Sequence, residues 1–307
     1  MNRRNKSLYS WAYLFMLPQL LMLAVFTIYP IVMSYVYSFY DWSGIGPLQQ
    51  FIGWDNFYSV MTDRYFWNAY RNNLIYIGFT VLITLPAALL AALLLNLAYF
   101  KGKVVYRTLL FLPVVTTTAI VGVVLKSMFG TDNAIVNLVL QQFNLIKEPI
   151  GWLSGPYTSM LVLIGAGIWK VFGMIMIYWL AGLQSLPKEI YEAARIDGAG
   201  WWAALRYITI PLLLPVSAVI LLLTVMNGIH VFDLVTTLTG GGPFFATDMV
   251  DLYIYRYAFG TGGFPQQGYA SAAGIIFGMS IFVISLVLGA IVQLAMRRQR
   301  SIAIGKE

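Results

Sequence analysis

The side chain in this sequence most able to do chemistry is Lys170, a lysine near the middle of the apolar run 160–183. A lysine at a bilayer centre costs roughly 2.5–3.5 kcal/mol on insertion scales, so it should face a polar cavity, pair with a partner or snorkel. Both a pathway role and a pairing role stay open from the residue alone. A second constellation, Thr224, Asn227, Gly228 and Val231, shares one helical face by its three- and four-residue spacing. A third lies in residues 184–211. There Glu192 and Asp197 supply fixed charges, Ala193 and Ala194 leave a smooth face that another backbone can approach, and Gly198 and Gly200 permit a sharp turn. Physics alone leaves two readings of that segment, an interfacial helix resting on headgroups or a surface gripped by a partner.

The missing chemistry narrows the field. There is no Cys, which excludes disulfides, thiolate nucleophiles and Cys-ligated metals. The one histidine, His230, leaves little for a metal site or imidazole catalysis and reads as structural near the outer membrane boundary. Gly240-Gly-Gly-Pro243 lacks the Gly-Lys-Ser/Thr ending of a phosphate loop, and Leu153-Ser-Gly155 runs into Pro156. Neither is a nucleotide site. The chain is therefore expected to hydrolyse nothing itself and to need no cofactor or metal.

These residues must be positioned by membrane helices. Of 307 residues, 60% are hydrophobic and only 10% are charged, and mean hydropathy is +0.76. A globular domain carries about 25% charged residues, so a soluble fold and disorder are both ruled out. Apolar runs long enough to cross a bilayer, uncharged except for Lys170 in the fourth, lie near residues 11–35, 74–97, 108–125, 160–183, from about 210, and 270–295. The expected fold is all-α and polytopic, with six spans in a single domain, residues 1–307. The first run is too long, and lacks the small-residue cleavage site, for a cleaved signal peptide.

Cations set the orientation. Arg3, Arg4 and Lys6, then Lys101, Lys103 and Arg107, then Lys188, Arg195 and Arg206, then Arg297, Arg298, Arg300 and Lys306 fall on one side. Arg64, Arg71, Lys147 and Arg256 fall on the other. The positive-inside rule places both termini and the segment between spans four and five in the cytoplasm. The prolines within spans, among them Pro30, Pro86, Pro113, Pro211 and Pro215, require neighbours that satisfy the freed carbonyls.

Glu192-Ala193-Ala194, Asp197-Gly198-Ala199 and Ile208-Thr209-Ile210-Pro211 together resemble the EAA loop of binding-protein-dependent ABC import permeases. Thr239-Gly-Gly-Gly-Pro243, Tyr253-Ile-Tyr255 and Gly268-Tyr-Ala-Ser-Ala272 resemble the maltose and glycerol-3-phosphate branch, specifically its first permease subunit. Phe51-Ile-Gly-Trp-Asp-Asn-Phe57 and Phe66-Trp-Asn-Ala-Tyr-Arg-Asn72 fit that family's first outer loop. The likeness covers almost the whole chain, without the extra helices and large outer insertion of the maltose permease.

The resemblance implies a second homologous permease, two ATP-binding cassette subunits and an extracytoplasmic solute-binding protein, in a bacterial or archaeal cytoplasmic membrane. By matching positions, Glu192, Ala193, Ala194, Asp197 and Gly198 are the coupling contacts, within a cytoplasmic loop spanning 184–209. Lys170 falls where maltose-type permeases line their sugar site, where a cation could bond hydroxyls or attract a phosphate or carboxylate. The Thr224 face resembles their sugar-contacting face, but two asparagines of that face become Gly228 and Val231. A sugar or sugar-like solute is expected, with glycerol phosphate or another polar solute as the alternative.

A secondary transporter would place chains of Asp, Glu or His within its spans, and no Asp or Glu lies between the charged flanks here. A membrane enzyme finds no catalytic pair, and no ring of channel selectivity residues is legible in one chain.

Overall fold

A computed structural model describes residues 3–48, 50–97, 99, 101–130, 134–260 and 263–304; of 3–10, 12, 291 and 294–304 it describes the backbone alone. The terminal cations Arg3, Arg4, Lys6, Arg297, Arg298 and Arg300, as side chains, and Lys306 lie outside the described residues.

Helix α1 (Arg3–Leu23) passes through a π turn (Ala24–Ile28) into α2 (Tyr29–Tyr37). A short antiparallel pair follows, β1 (Tyr40–Asp41) with β2 (Gln50–Phe51). Then come α3 (Asp55–Thr62), α4 (Arg64–Asn96), α5 (Lys103–Val115) and α6 (Thr118–Phe129). Next are α7 (Ile135–Gln142), α8 (Pro156–Gln184), α9 (Lys188–Ile196) and α10 (Trp201–Ala204). A second π turn (Leu205–Thr209) leads into α11 (Ile210–Ile229), and α12 (Phe232–Leu238), α13 (Val250–Phe259) and α14 (Gln267–Ile304) complete the chain.

Both π turns end shortly before a proline, Pro30 or Pro211. Proline lacks an N–H and its ring crowds the carbonyl four residues back, and a widened turn relieves that clash.

Among the described residues, five helical stretches are long and apolar enough to cross a membrane: Tyr13–Tyr37, Arg64–Asn96, Pro156–Gln184, Trp201–Ile229 and Gln267–Ala290. The expected third span is not one straight helix. It divides into α5 and α6, bent by 96°. Thr116 and Thr117 at the break are extended, with ψ of 140° and 128°. The local sequence explains the position. Pro113 weakens the last turn of α5, and Val114 to Thr118 are all β-branched, hence stiff and poor at continuing a helix.

The chain forms two compact units. One comprises Met1–Phe66 and Ile254–Met279. Within it the buried Asn56 amide donates to the Ser38 and Tyr40 carbonyls at 2.9 and 3.0 Å, and the Gly268 N–H donates to the Trp42 carbonyl at 3.0 Å. The first span presents no buried residue in its apolar window, as suits a helix facing lipid.

The other unit comprises Trp67–Tyr253 and Ser280–Glu307. One of its apolar clusters joins Ala88 and Ala92 of α4 to Ile175, Met176 and Trp179 of α8 and Leu213 and Ile220 of α11. The two alanines are fully buried, and their small side chains let the helices approach closely. A second cluster gathers Tyr76, Val121, Leu163, Val235 and Leu238. At Gly173 the contact becomes backbone to backbone. A methyl group there would lie 2.2 Å from the Leu110 carbonyl oxygen and 2.7 Å from Phe111 Cα. Helix α5 thus rests directly on α8, one turn beyond Lys170.

Candidate functional site

The second unit encloses a cavity of about 420 Å³ walled by α4, α8, α11 and α12 and reached by the ends of α5, α6 and α13. Its polar lining consists of Tyr76, Thr118, Lys170, Asn227, His230, Asp233 and Asp251. Three asparagines on α4 hold the rim in place. Asn73 accepts from the Val250 N–H at 2.8 Å and donates to the Ile229 carbonyl at 3.4 Å. That one amide fixes both the end of α11, before His230, and the start of α13, before Asp251. Asn72 donates to the Asp248 and Phe245 carbonyls at 3.0 and 3.1 Å, and Asn68 donates to the Phe245 carbonyl at 2.8 Å. The glycine-rich turn after α12 is thereby pinned to α4. The apolar run begins only at residue 74, whereas α4 begins at Arg64 and carries these amides on helix.

Lys170 projects from α8 toward the break between α5 and α6. Its Nζ donates to the Pro113 carbonyl at 2.7 Å, to the Val114 carbonyl at 3.1 Å and to the Thr116 carbonyl. The last carbonyls of a helix have no intrahelical donor, and within a bilayer no water replaces one. The ammonium supplies those bonds and sits where the negative end of the helix dipole favours a cation. The carbonyls at the break after Pro113 are thus bonded by a charged side chain from another helix.

The face read on span five divides into two ridges. Asn227 and Val231 line the cavity. Thr224 is 2% exposed and its hydroxyl donates to the Ile220 carbonyl of its own helix at 2.7 Å. Gly228 packs against Ile77, whose Cγ1 would stand 3.0 Å from an added methyl group.

His230, read from the sequence as a boundary residue, ends α11 and places Nδ1 3.4 Å from Asp251 Oδ2. Burial pushes the Asp251 carboxyl above the ordinary carboxylate range, and the adjacent His230 offsets part of that shift. Tyr76, His230, Asp233 and Asp251 are cavity residues that sequence reasoning did not select. The two acids lie in the stretch 233–268, which the charge pattern assigns to an outer loop, so nothing local distinguishes them from solvated acids. Among the described residues no group of three or more His, Asp or Glu side chains could hold a metal ion.

Between α8 and α11, α9 and the turn after it display the third constellation. Pro187 is the residue preceding the helix, with ψ of 132°, and α9 ends as the Ala199 N–H donates to the Ala194 carbonyl at 2.8 Å and the Gly198 N–H to the Arg195 carbonyl at 3.1 Å. Gly198 has φ of +78°, a left-handed conformation that glycine adopts without a side-chain penalty. Glu192, Ala193, Asp197 and Gly198 face solvent and Ala194 is half-buried. Beside them Ile196 is 86% exposed. The Tyr191 and Thr209 hydroxyls meet at 3.0 Å and brace α9 against the base of α11.

Residues 57–301 match the family described as "Binding-protein-dependent transport system inner membrane component". The chain is 34% identical over 277 residues to the lactose transport system permease protein LacF of Rhizobium radiobacter, covering 90% of this chain and 91% of that one. It is 31% identical to the arabinooligosaccharides transport system permease protein AraP of Bacillus subtilis, covering 90% and 86%. It also matches a chain of the crystal structure of a bacterial ABC transporter involved in import of the acidic polysaccharide alginate. There the TM-score is 0.82 at 26% identity, over 95% of this chain and 99% of that one. A chain of the bacterial alginate ABC transporter in complex with alginate pentasaccharide-bound periplasmic protein gives 0.80 at 25% identity, over 97% of each.

The chain belongs to the binding-protein-dependent transport permeases, the membrane-spanning components of ABC importers. It is accordingly a transport subunit and not an enzyme.

Proposed function

We propose that this chain forms half of the translocation path of an ATP-driven importer for a sugar or sugar-like solute, in a bacterial or archaeal cytoplasmic membrane. All 307 residues act as one permease domain with both termini in the cytoplasm. A second homologous permease supplies the other half, two ATP-binding cassette subunits drive it, and an extracytoplasmic binding protein delivers the solute. The lactose and arabinooligosaccharide permeases among its relatives support the solute class, and the alginate importer bound to its periplasmic protein supports the delivery step.

Lys170, Asn227 and Val231 belong to the wall of the path, and Thr224 and Gly228 stand behind it as packing. Glu192, Ala193, Ala194, Asp197 and Gly198 form the coupling surface. ATP closure stabilises the outward-facing form through that surface, and hydrolysis restores the inward-facing form; coupling requires this difference in affinity between the two states.

The observation that carries the reading is the α9 turn, where charged and small residues face solvent on a rigidly capped helix braced to the base of a spanning helix. The test is uptake by proteoliposomes holding the full importer and its binding protein. Glu192→Lys and Gly198→Val should each reduce ATP-driven uptake about tenfold or more, a typical coupling energy, and weaken retention of the ATPase subunits. Normal uptake with normal assembly in both variants would remove the coupling role.

A further inference from the structure

The cavity has one ammonium group, and that group is already occupied. Lysine carries three N–H donors, and Lys170 directs its Nζ at three backbone carbonyls, those of Pro113, Val114 and Thr116. The Pro113 carbonyl also accepts from the Thr116 N–H at 3.3 Å, but turning the ammonium from the Val114 or Thr116 carbonyl toward a solute would remove a donor at a helix break within the membrane, which is costly. The backbone crossing at Gly173 holds α5 against α8 one turn away, so the acceptors cannot easily withdraw.

The rest of the titratable lining points the other way. Asp233 and Asp251 bring two carboxyl groups, His230 lies beside Asp251, and Asn227 offers an amide with both donors and an acceptor. No arginine and no second lysine lines the cavity among the described residues. Carboxyl oxygens accept from sugar hydroxyls. They repel a uronate, and no further lysine or arginine on this wall offsets that repulsion.

We infer that this cavity admits an uncharged, hydroxyl-rich saccharide and discriminates against acidic ones, with Lys170 serving as a helix cap and not as a solute ligand. The inference rests on reading the cavity as the solute path. It sets this chain apart in solute charge from the alginate importer whose fold it shares.

The experiment uses the purified complete importer without its binding protein, held with ATP on hydrolysis-deficient ATPase subunits. Its melting temperature is followed with matched millimolar lactose, maltotriose or arabinotriose, and with trigalacturonate. At least one neutral sugar should raise it by about 2 °C or more, as binding to the folded state requires, while trigalacturonate leaves it unchanged. Asp233→Lys, at an exposed position, should gain a response to trigalacturonate. Lys170→Arg, which keeps donors for the carbonyls, should retain the neutral-sugar response.

A trigalacturonate shift in the parent equal to or larger than the neutral one would overturn the discrimination and leave the solute path standing. The discrimination also falls if Asp233→Lys gains nothing, or if Lys170→Arg folds and assembles yet loses the neutral response. No shift with any saccharide would instead sink the solute-path reading, and the inference with it.

Discussion

Asn227 and Thr224 lie three residues apart on α11, yet their polar groups meet different surroundings. The Asn227 amide opens on the cavity, and the Thr224 hydroxyl is sealed against its own helix. Removing one hydrogen bond to a bound solute costs about 1 kcal/mol. Asn227→Ala should therefore raise the KM for uptake about fivefold, while Thr224→Val leaves it unchanged; transport kinetics in proteoliposomes distinguish the two. Asp251 gives a pH dependence. Its folded value is raised above the ordinary 3.8 by burial, so its contribution to stability is fully present below that ordinary value. The contribution is lost as pH rises through the folded value. Asp251→Asn cannot ionise and escapes the loss. Its melting temperature should exceed the parent's by about 2 °C at alkaline pH and match it in acid; a constant difference across pH would refute the assignment. His230 and Asp251 are 21 positions apart in sequence, and the amide of Asn73, on a third helix, ties their segments together.

At the scale of elements, the broken third span is the main departure from the expected six straight helices. Hydropathy measures how apolar a run is, and residues 108–125 are apolar whether the helix continues or turns. The proline and the β-branched run mark a weak point, but a 96° bend is stable only because α8 brings a lysine to the freed carbonyls. The crossing at Gly173 is what allows that approach. Gly173→Ala places a methyl group against the Leu110 carbonyl and should cost about 1–3 kcal/mol by overpacking. The measurement is the melting temperature of the purified complex, and an unchanged value would mean that the two helices separate freely. The segment from α9 to Pro211 behaves differently. Its short helix, glycine turn and following proline element were legible residue by residue, because caps and left-handed turns are chosen by local chemistry.

For the whole molecule, the orientation is the proposition with most depending on it, since the coupling role proposed for the α9 turn requires that turn to face the cell interior. The absence of cysteine makes it simple to test. A cysteine replacing Phe264, which is 92% exposed, should react with a membrane-impermeant thiol reagent in intact spheroplasts. A cysteine replacing Lys188 should react only after permeabilisation. The reverse pattern would invert the molecule in the membrane and separate α9 from any cytoplasmic motor.

Composition determined that this chain lives in a bilayer, because 10% charged residues cannot cover a water-exposed surface. Spacing determined where the apolar runs lie, and a local motif determined the shape of the turn after α9. Tertiary structure decided the fate of the polar groups inside: Lys170 on carbonyls more than fifty residues away, Thr224 turned from the cavity, and two loop acids brought to its rim. A membrane excludes water as an alternative partner, so each buried donor takes whatever acceptor the packing of distant helices presents. That choice is made by helix crossings such as the one at Gly173, which leave no periodic signal along the chain.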